Sequence, residues 1–328
     1  MRGLATRRGR DAESLLTRRI LVYHPEHAAL YAQLIRAPRA RVAVEVATTP
    51  EEAAASIAET DILYGWSVPP SLYAGAAHLK WLQVTGAGVD WALVPELPLD
   101  VVVTRTPGIF GPWMAEYVLA WCLWVTQRMH AIRDAQRSRR WRSELIPERL
   151  AGKTMTIVGL GEIGRTIARA VRRSGLRVLG VSRSGRQVAG VDRVFRAAQL
   201  TRALSVADFV VLTVPLAPAT RGLIGARELR AMRATAWLMN IARGAVVDEA
   251  SLIDMLGARR IGGAVLDVFA EEPLPPHHPL WGMDNVVITP HIAGPSTPEE
   301  IAPIFNQNLA RFLAGRRLRH VVNRSRGY

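Results

Sequence analysis

Cysteine is almost missing from this chain of 328 residues, where Cys122 stands alone. A single thiol excludes a disulfide framework and any metal site built on several cysteines. No metal is expected, and a reducing, cytoplasmic setting is. Lysine is nearly missing too: Lys80 and Lys153 are the only two among 42 basic residues. Long apolar runs are also lacking. The most apolar stretch, Tyr117–Thr126, lies between Glu116 and Arg128, well short of the roughly 18 residues a membrane span needs. No apolar segment follows the N-terminal arginines, so no signal peptide is expected. What is plentiful is apolar content. At 49% hydrophobic and 21% charged, the chain can bury sizeable cores, and its length suggests about two domains.

Acidic residues are short by 14 against basic ones, which raises the question of nucleic acid. The excess sits in three places. Residues 1–19 carry six arginines against Asp11 and Glu13, residues 128–149 carry seven against three acids, and residues 311–328 carry six against none. The rest is neutral. A DNA reader more often carries its charge on a folded reading element, so nucleic acid is not the expected partner. Residues 1–17 have no apolar period and read as a disordered arm. Their arginine-rich composition has something of a transit peptide, but a floppy tail is the simpler reading.

From Ile20 onward, short apolar strands alternate with helical stretches. Strands are expected at Ile20–Tyr23, Val42–Val46, Ile62–Tyr64, Trp81–Thr85 and Val101–Thr104, with helices at Pro25–Ala37, Pro50–Glu59 and Pro70–Ala77. A long helix is expected over Met114–Arg137. A second set follows at Thr154–Val158, Val178–Ser182, Phe209–Val214, Trp237–Ile241, Gly263–Val268 and Val286–Thr289, with a last helix over Pro298–Ala314. This alternation predicts an α/β protein with two doubly wound parallel sheets covered by helices.

Three signals carry chemistry. The first is Gly159-Leu160-Gly161-Glu162-Ile163-Gly164, which follows a strand and opens a helix. In that context the glycines suit a tight turn, approach to a pyrophosphate and helix–strand packing. The second is an absence. A site for NAD usually places an acid at the end of the next strand, to bond the ribose hydroxyls. Here that strand ends Ser182-Arg183-Ser184, and no acid occurs before Asp192. Hydroxyls and a guanidinium suit a 2′-phosphate. NADP(H) is therefore the expected cofactor and NAD(H) the alternative, with Arg186 a further contributor. The third is a spaced set, Arg243, Glu272 and His291, each just after an expected strand. Arginine can hold a carboxylate and polarise a carbonyl. Histidine can give a proton, and glutamate can orient the imidazole.

Together these segments resemble the D-isomer-specific 2-hydroxyacid dehydrogenases from about Arg19 to the C-terminus. The resemblance is carried by residues 79–90 (LKWLQVTGAGVD), 158–164 (VGLGEIG), 215–224 (PLAPATRGLI), 240–249 (NIARGAVVDE), 266–274 (LDVFAEEPL) and 289–294 (TPHIAG). It implies a Rossmann cofactor domain over 108–294, inserted in a flavodoxin-like substrate domain made of 18–107 and 295–328, with the active site in the cleft. It implies Arg243, Glu272 and His291 as the catalytic set, Glu272 taking precedence over Glu271 as the acid directly before Pro273. It implies that N–H groups of Ala87 and Gly88 hold the substrate carboxylate, that Pro215 lies at the dinucleotide and that Asp267 bonds the nicotinamide carboxamide. The Ser-Arg-Ser turn, Pro279-Leu280-Trp281 and the terminal Arg-Gly-Tyr look like the NADPH-using glyoxylate/hydroxypyruvate reductase branch. Homodimerisation through the Met114–Arg137 helix is implied as well.

The expected reaction is therefore reduction of a small 2-oxo acid, glyoxylate or hydroxypyruvate, to its 2-hydroxy acid. A dehydrogenase for another 2-hydroxy acid is one alternative, and a dinucleotide-gated corepressor-like binding module is another. Trp66 is a candidate wall of the substrate pocket, or else a packing residue. Trp141 is similar to an aromatic that family members send into a neighbouring subunit's site, or else is an exposed residue of a basic loop. Trp91 stands where many members carry a small polar residue. His277 and His278, in a proline-rich loop, are expected to be solvated.

Overall fold

The computed structural model describes residues 17–328. The chain divides into two compact units, one running to Ile109 and resuming at Ser296–Tyr328, the other Phe110–Pro295. Apart from Thr17, the arm expected over residues 1–17 lies outside the described residues.

The first unit opens with β1 (Arg18–Tyr23), α1 (Ala28–Gln33), β2 (Val42–Ala47), α2 (Pro50–Ser56), β3 (Ile62–Gly65), β4 (Trp81–Val84) and β5 (Val102–Thr104). All neighbours pair in parallel, in the order β2-β1-β3-β4-β5. This is the flavodoxin-like order. In β1, Ile20 and Val22 enter one apolar cluster while Leu21 and Tyr23 enter another. Successive strand residues face opposite sides, so a strand covered on both faces reads as one unbroken apolar run. Helix α2 starts on Thr49, whose side chain accepts the Glu52 N–H, with Pro50 at the first helical position. Both features fit a helix start. The stretch expected as a helix after β3 forms only a 3-10 segment, Pro70–Gly75.

The second unit begins with two helices, α3 (Phe110–Thr126) and α4 (Met129–Arg137), where one was expected. The break is set by a segment further along the chain. The Thr126 carbonyl accepts from the Glu148 N–H at 2.8 Å instead of continuing the helix, and Arg128 turns left-handed at φ 53°. Then follow β6 (Thr154–Val158), α5 (Glu162–Arg173), β7 (Arg177–Ser182), β8 (Arg193–Arg196), α6 (Leu200–Leu204), β9 (Phe209–Leu212), α7 (Ala226–Ala231), β10 (Trp237–Asn240), α8 (Glu249–Gly257), β11 (Gly263–Leu266) and β12 (Val286–Ile288). The seven strands lie in parallel in the order β12-β11-β10-β9-β6-β7-β8, a Rossmann sheet with one extra strand. Its two faces separate cleanly. Val210, Leu212 and Leu238 pack on one side, Phe209, Val211 and Met239 on the other. From β6 the chain runs outward to β7 and β8, then returns past β6 to β9. Ligands bind at the carboxyl ends of strands beside such a reversal.

The last helix is α9 (Pro298–Leu313), which returns to the first unit. Phe305 is fully buried there, stacked 4.0 Å from the Tyr64 ring and 5.2 Å from Trp81. Burying such a side chain stabilises by about 2–3 kcal/mol, which fixes this helix to the first sheet.

Candidate active site

The glycine-rich turn follows β6. Gly159 has φ 104°, and a Cβ there would come within 2.9 Å of the Thr213 and Val214 backbone; a Cβ at 164 would come within 2.1 Å of the Gly159 oxygen. Only glycine allows so tight a turn at the mouth of α5. Thr213 Oγ1 donates to the Gly159 carbonyl at 2.7 Å and ties this turn to the end of β9. Gly161 differs from both neighbours: a Cβ there would meet nothing within 4 Å. Among the described residues no side chain caps α5, and a helix start without one is a ready anion site. The open space before Gly161 therefore fits a dinucleotide pyrophosphate. Glu162 and Ile163 form the first turn of α5, and Pro215 lies exposed beyond β9.

At the end of β7, Ser182 Oγ accepts from the Gly185 N–H at 3.1 Å and Ser184 Oγ from the Arg186 N–H at 3.3 Å. Both serines fold the turn on itself, and Arg183 is exposed on it. One residue here escaped the sequence reading. Strand β8 was not expected, because only Phe195 of its four residues is buried. Its register sets Arg196 beside Ser182, and a Cβ at Gly185 would lie 2.5 Å from the Arg196 Cγ. A second guanidinium-bearing side chain thus runs along the Ser182–Gly185 turn. Its signal in the sequence was a basic residue bounding a short Val-Phe pair, too brief to register as a strand.

Arg243, Glu272 and His291 come together at the carboxyl ends of β10, β11 and β12. Asn240 closes the Arg243 loop, its Nδ2 donating to the Arg243 carbonyl at 3.0 Å and its Oδ1 accepting from the Ala242 N–H at 3.1 Å. A Cβ at Gly244 would come within 1.9 Å of the Phe269 carbonyl carbon, so this loop lies directly on the segment that leads to Glu272. Glu272 Oε1 accepts from the Phe269 N–H at 2.9 Å, and Oε2 meets His291 Nδ1 at 2.8 Å. Burial alone would raise the Glu272 carboxyl. The hydrogen bonds from His291 and Phe269, with the charges of His291 and Arg243, outweigh it and hold the group below the ordinary carboxylate range. A carboxylate can only accept, so Nδ1 carries the hydrogen and Nε2 points the other way around the ring.

Asp267 is 2% exposed. Its Oδ1 accepts from Thr289 Oγ1 and the Ile292 N–H, and its Oδ2 from the Ala293 N–H at 2.9 Å. Oδ2 thus accepts one hydrogen bond among the described residues, fewer than a carboxylate oxygen can take. His278 corrects an expectation. Its side chain is only 17% exposed and its Nε2 bonds Glu249 Oε1 at 3.2 Å, while its Nδ1 accepts the Leu280 N–H. It is a clamp between a loop and the start of α8; His277 is exposed as expected.

In the first unit, Ala87 and Gly88 follow β4 in a half-buried turn, and neither N–H finds an acceptor among the described residues. Trp66 follows β3. Its ring lies across Gly86, where a Cβ would approach it to 2.1 Å, and meets Trp91 edge-on at 5.9 Å. Trp91 buries its Nε1 without a partner among the described residues. Trp141, in the second unit, is 96% exposed.

A Rossmann sheet, an open glycine-rich turn and an arginine beside a glutamate–histidine pair define a nicotinamide-dinucleotide oxidoreductase. The sequence model of the D-isomer specific 2-hydroxyacid dehydrogenase NAD-binding domain matches residues 119–293. The chain is 37% identical over 261 residues to glyoxylate reductase of Thermofilum pendens, covering 76% of each. It is 32% identical to glyoxylate/hydroxypyruvate reductase A of Yersinia enterocolitica, over 80% of this chain and 86% of that one. The NADPH-dependent glyoxylate/hydroxypyruvate reductase of Sinorhizobium meliloti, solved with NADP and sulfate, superposes with a TM-score of 0.86 at 31% identity, covering 95% of this chain and all of that one. The chain belongs to the D-isomer specific 2-hydroxyacid dehydrogenase family. No helix among the described residues is long and apolar enough to cross a membrane.

Proposed function

We propose that this dehydrogenase reduces glyoxylate or hydroxypyruvate to the 2-hydroxy acid, with NADPH preferred over NADH. The observation that carries the reading is the His291 Nδ1–Glu272 Oε2 pair at 2.8 Å, lying beside Arg243 at the strand ends. The names of the relatives narrow the substrate to short 2-oxo acids. The Ser182-Arg183-Ser184 turn, with Arg196 beside it, supports the choice of NADPH. The dinucleotide, when bound, supplies a hydride.

Each residue then has a task. The guanidinium of Arg243 binds the substrate carboxylate and draws electron density from the carbonyl oxygen. His291, as the imidazolium, carries a hydrogen on each ring nitrogen; it gives the Nε2 proton to that oxygen and becomes neutral, while Glu272 orients the ring by accepting at Nδ1. The N–H groups of Ala87 and Gly88 take the substrate carboxylate, and Trp66 limits the size of the acid. Gly159, Gly161 and Gly164, with Glu162 and Ile163, hold the pyrophosphate; Pro215 borders the dinucleotide and Asp267 takes the carboxamide. The exposed apolar residues Trp113, Leu123, Met129 and Ile132 on α3 and α4 are assigned to a homodimer contact, and Trp141 to the neighbouring subunit.

The test is a panel of 2-oxo acids run with NADPH and NADH in parallel, on wild type and Trp66→Ala. Glyoxylate and hydroxypyruvate should lead with NADPH, and the variant should gain on phenylpyruvate while losing on glyoxylate. Preference for a bulky acid in the wild type, or equal rates with both cofactors, overturns the corresponding half of the proposal.

A further inference from the structure

Thr289 joins His291 to a helix that the catalytic set does not include. His291 is one of six non-glycine residues in the left-handed region among the described residues, with φ 56°. Such a conformation is costly and persists only where the surroundings over-determine it. Here the surroundings are Asp267, buried at the end of β11. Its backbone oxygen accepts the His291 N–H at 2.9 Å. Its carboxylate accepts the Ile292 N–H at 2.8 Å, the Ala293 N–H at 2.9 Å and the Thr289 hydroxyl at 2.6 Å. Asp267 thus bonds this turn at Thr289, His291, Ile292 and Ala293.

The network does not stop at Asp267. Tyr117, on α3, places its phenol oxygen 2.6 Å from Thr289 Oγ1. A threonine hydroxyl has one hydrogen, and that of Thr289 goes to Asp267. Tyr117 must therefore be the donor in this contact. Burial pushes the phenol above its ordinary range, which keeps it protonated and able to donate. The ring is wedged edge-on against Trp121, one turn further along α3, so the hydroxyl is presented from a rigid element.

We propose that Tyr117 is a positioning residue for His291, acting through Thr289 and Asp267. The inference rests on His291 being the proton donor. The phenol holds Thr289 Oγ1 in the rotamer that serves Asp267, and Asp267 in turn holds the left-handed backbone of His291. Without the phenol, the threonine hydroxyl is free to turn away and the carboxylate loses a donor. The imidazole then loses its fixed approach to the substrate oxygen, while the dinucleotide's phosphate and ribose contacts stay intact.

The experiment compares Tyr117→Phe, Thr289→Val and the double variant with glyoxylate and NADPH. Each single variant should lower kcat by about tenfold, since small misplacements of a reacting group are costly, and leave the NADPH dissociation constant within about twofold. The double variant should fall no further than the worse single one, because residues of one chain do not act independently. The downfield Nδ1–H proton resonance of His291 should shift in all three, a readout that loss of packing elsewhere would not move. An unchanged kcat with a lowered Tm, or losses that multiply in the double variant, overturns the proposal. His291→Asn separates the two failures. If it is inactive while Tyr117→Phe matches wild type, only the positioning role falls; if it stays active, the reading of His291 falls first.

Discussion

The two flanks of the seven-stranded sheet are built differently. On the β10–β12 side, the loops that carry Glu272 and His291 are bonded to each other, the Arg243 loop packs on Phe269, and all three are bonded to buried groups: Asn240 holds one, Phe269 a second and Asp267 the third. On the β7–β8 side, the Ser182–Arg186 turn bonds mainly to itself and stands in solvent. The difference teaches where each task can be altered. Proton transfer needs atoms fixed to a fraction of an ångström, and several loops share the fixing. Discrimination between two cofactors needs only a charge near a phosphate, and a short exposed turn can supply it.

If this contrast holds, a change on the braced side should cost rate, and one on the exposed side should cost cofactor affinity. The largest effect is expected at His291. His291→Asn should lower turnover by about 10²–10⁴-fold with NADPH binding retained. Steady-state rates with glyoxylate, beside a fluorescence titration of NADPH, check both halves; near wild-type turnover would remove the residue from the reaction. Arg243→Lys comes next. A lysine keeps the charge but not the planar fork, and loss of one charge-assisted contact should lower kcat/KM by roughly ten- to a hundredfold. Equal kinetics for the two side chains would show that Arg243 serves only as a point charge.

Much of this was legible in the sequence, for identifiable reasons. Strands such as Phe209–Leu212 are buried on both faces, so they read as apolar runs between turn signals, and their ends locate Arg243, Glu272 and His291. The glycine turn was legible because its steric demands leave no other residue possible at 159 and 164. What was not legible depends on pairing between distant segments. The break at Arg128 follows from a carbonyl taken by Glu148, some twenty residues on. The clamp at His278 needs Glu249 from the start of α8. Strand β8 has a single buried residue and exists through its pairing with β7, so Arg196 could not be assigned before the register was known.

On the exposed flank, Arg183→Ala should raise the NADPH dissociation constant by about tenfold, the lower end for a charge-assisted contact because water screens this turn. NADH affinity should stay within about twofold. Ser182→Asp should move preference toward NADH, through repulsion of the 2′-phosphate and a new acceptor for the ribose hydroxyls. Titration of both reduced cofactors against both variants decides. A loss of equal size for NADPH and NADH in Arg183→Ala would make that arginine part of the general basic surface.

The smallest effect, and the one that most sharpens the comparison, is expected at Arg196. Its side chain runs along the turn from the adjacent strand, with the Cγ held beside Gly185, whereas Arg183 lies on the turn itself. Arg196→Ala should therefore raise the NADPH dissociation constant by about two- to tenfold, leave NADH binding alone and leave kcat at saturating NADPH unchanged. Combined with Arg183→Ala, it measures how the flank is organised. If the two losses multiply, each guanidinium meets the 2′-phosphate separately and the turn is as loosely built as its exposure implies. If the double variant is little worse than Arg183→Ala alone, Arg196 acts by holding the turn, and the exposed flank is braced by its neighbouring strand in the manner of the catalytic one. A loss for Arg196→Ala as large as for Arg183→Ala, together with weaker NADH binding, would mean that β8 supports the whole adenosine site and that the contrast between the flanks is one of exposure alone.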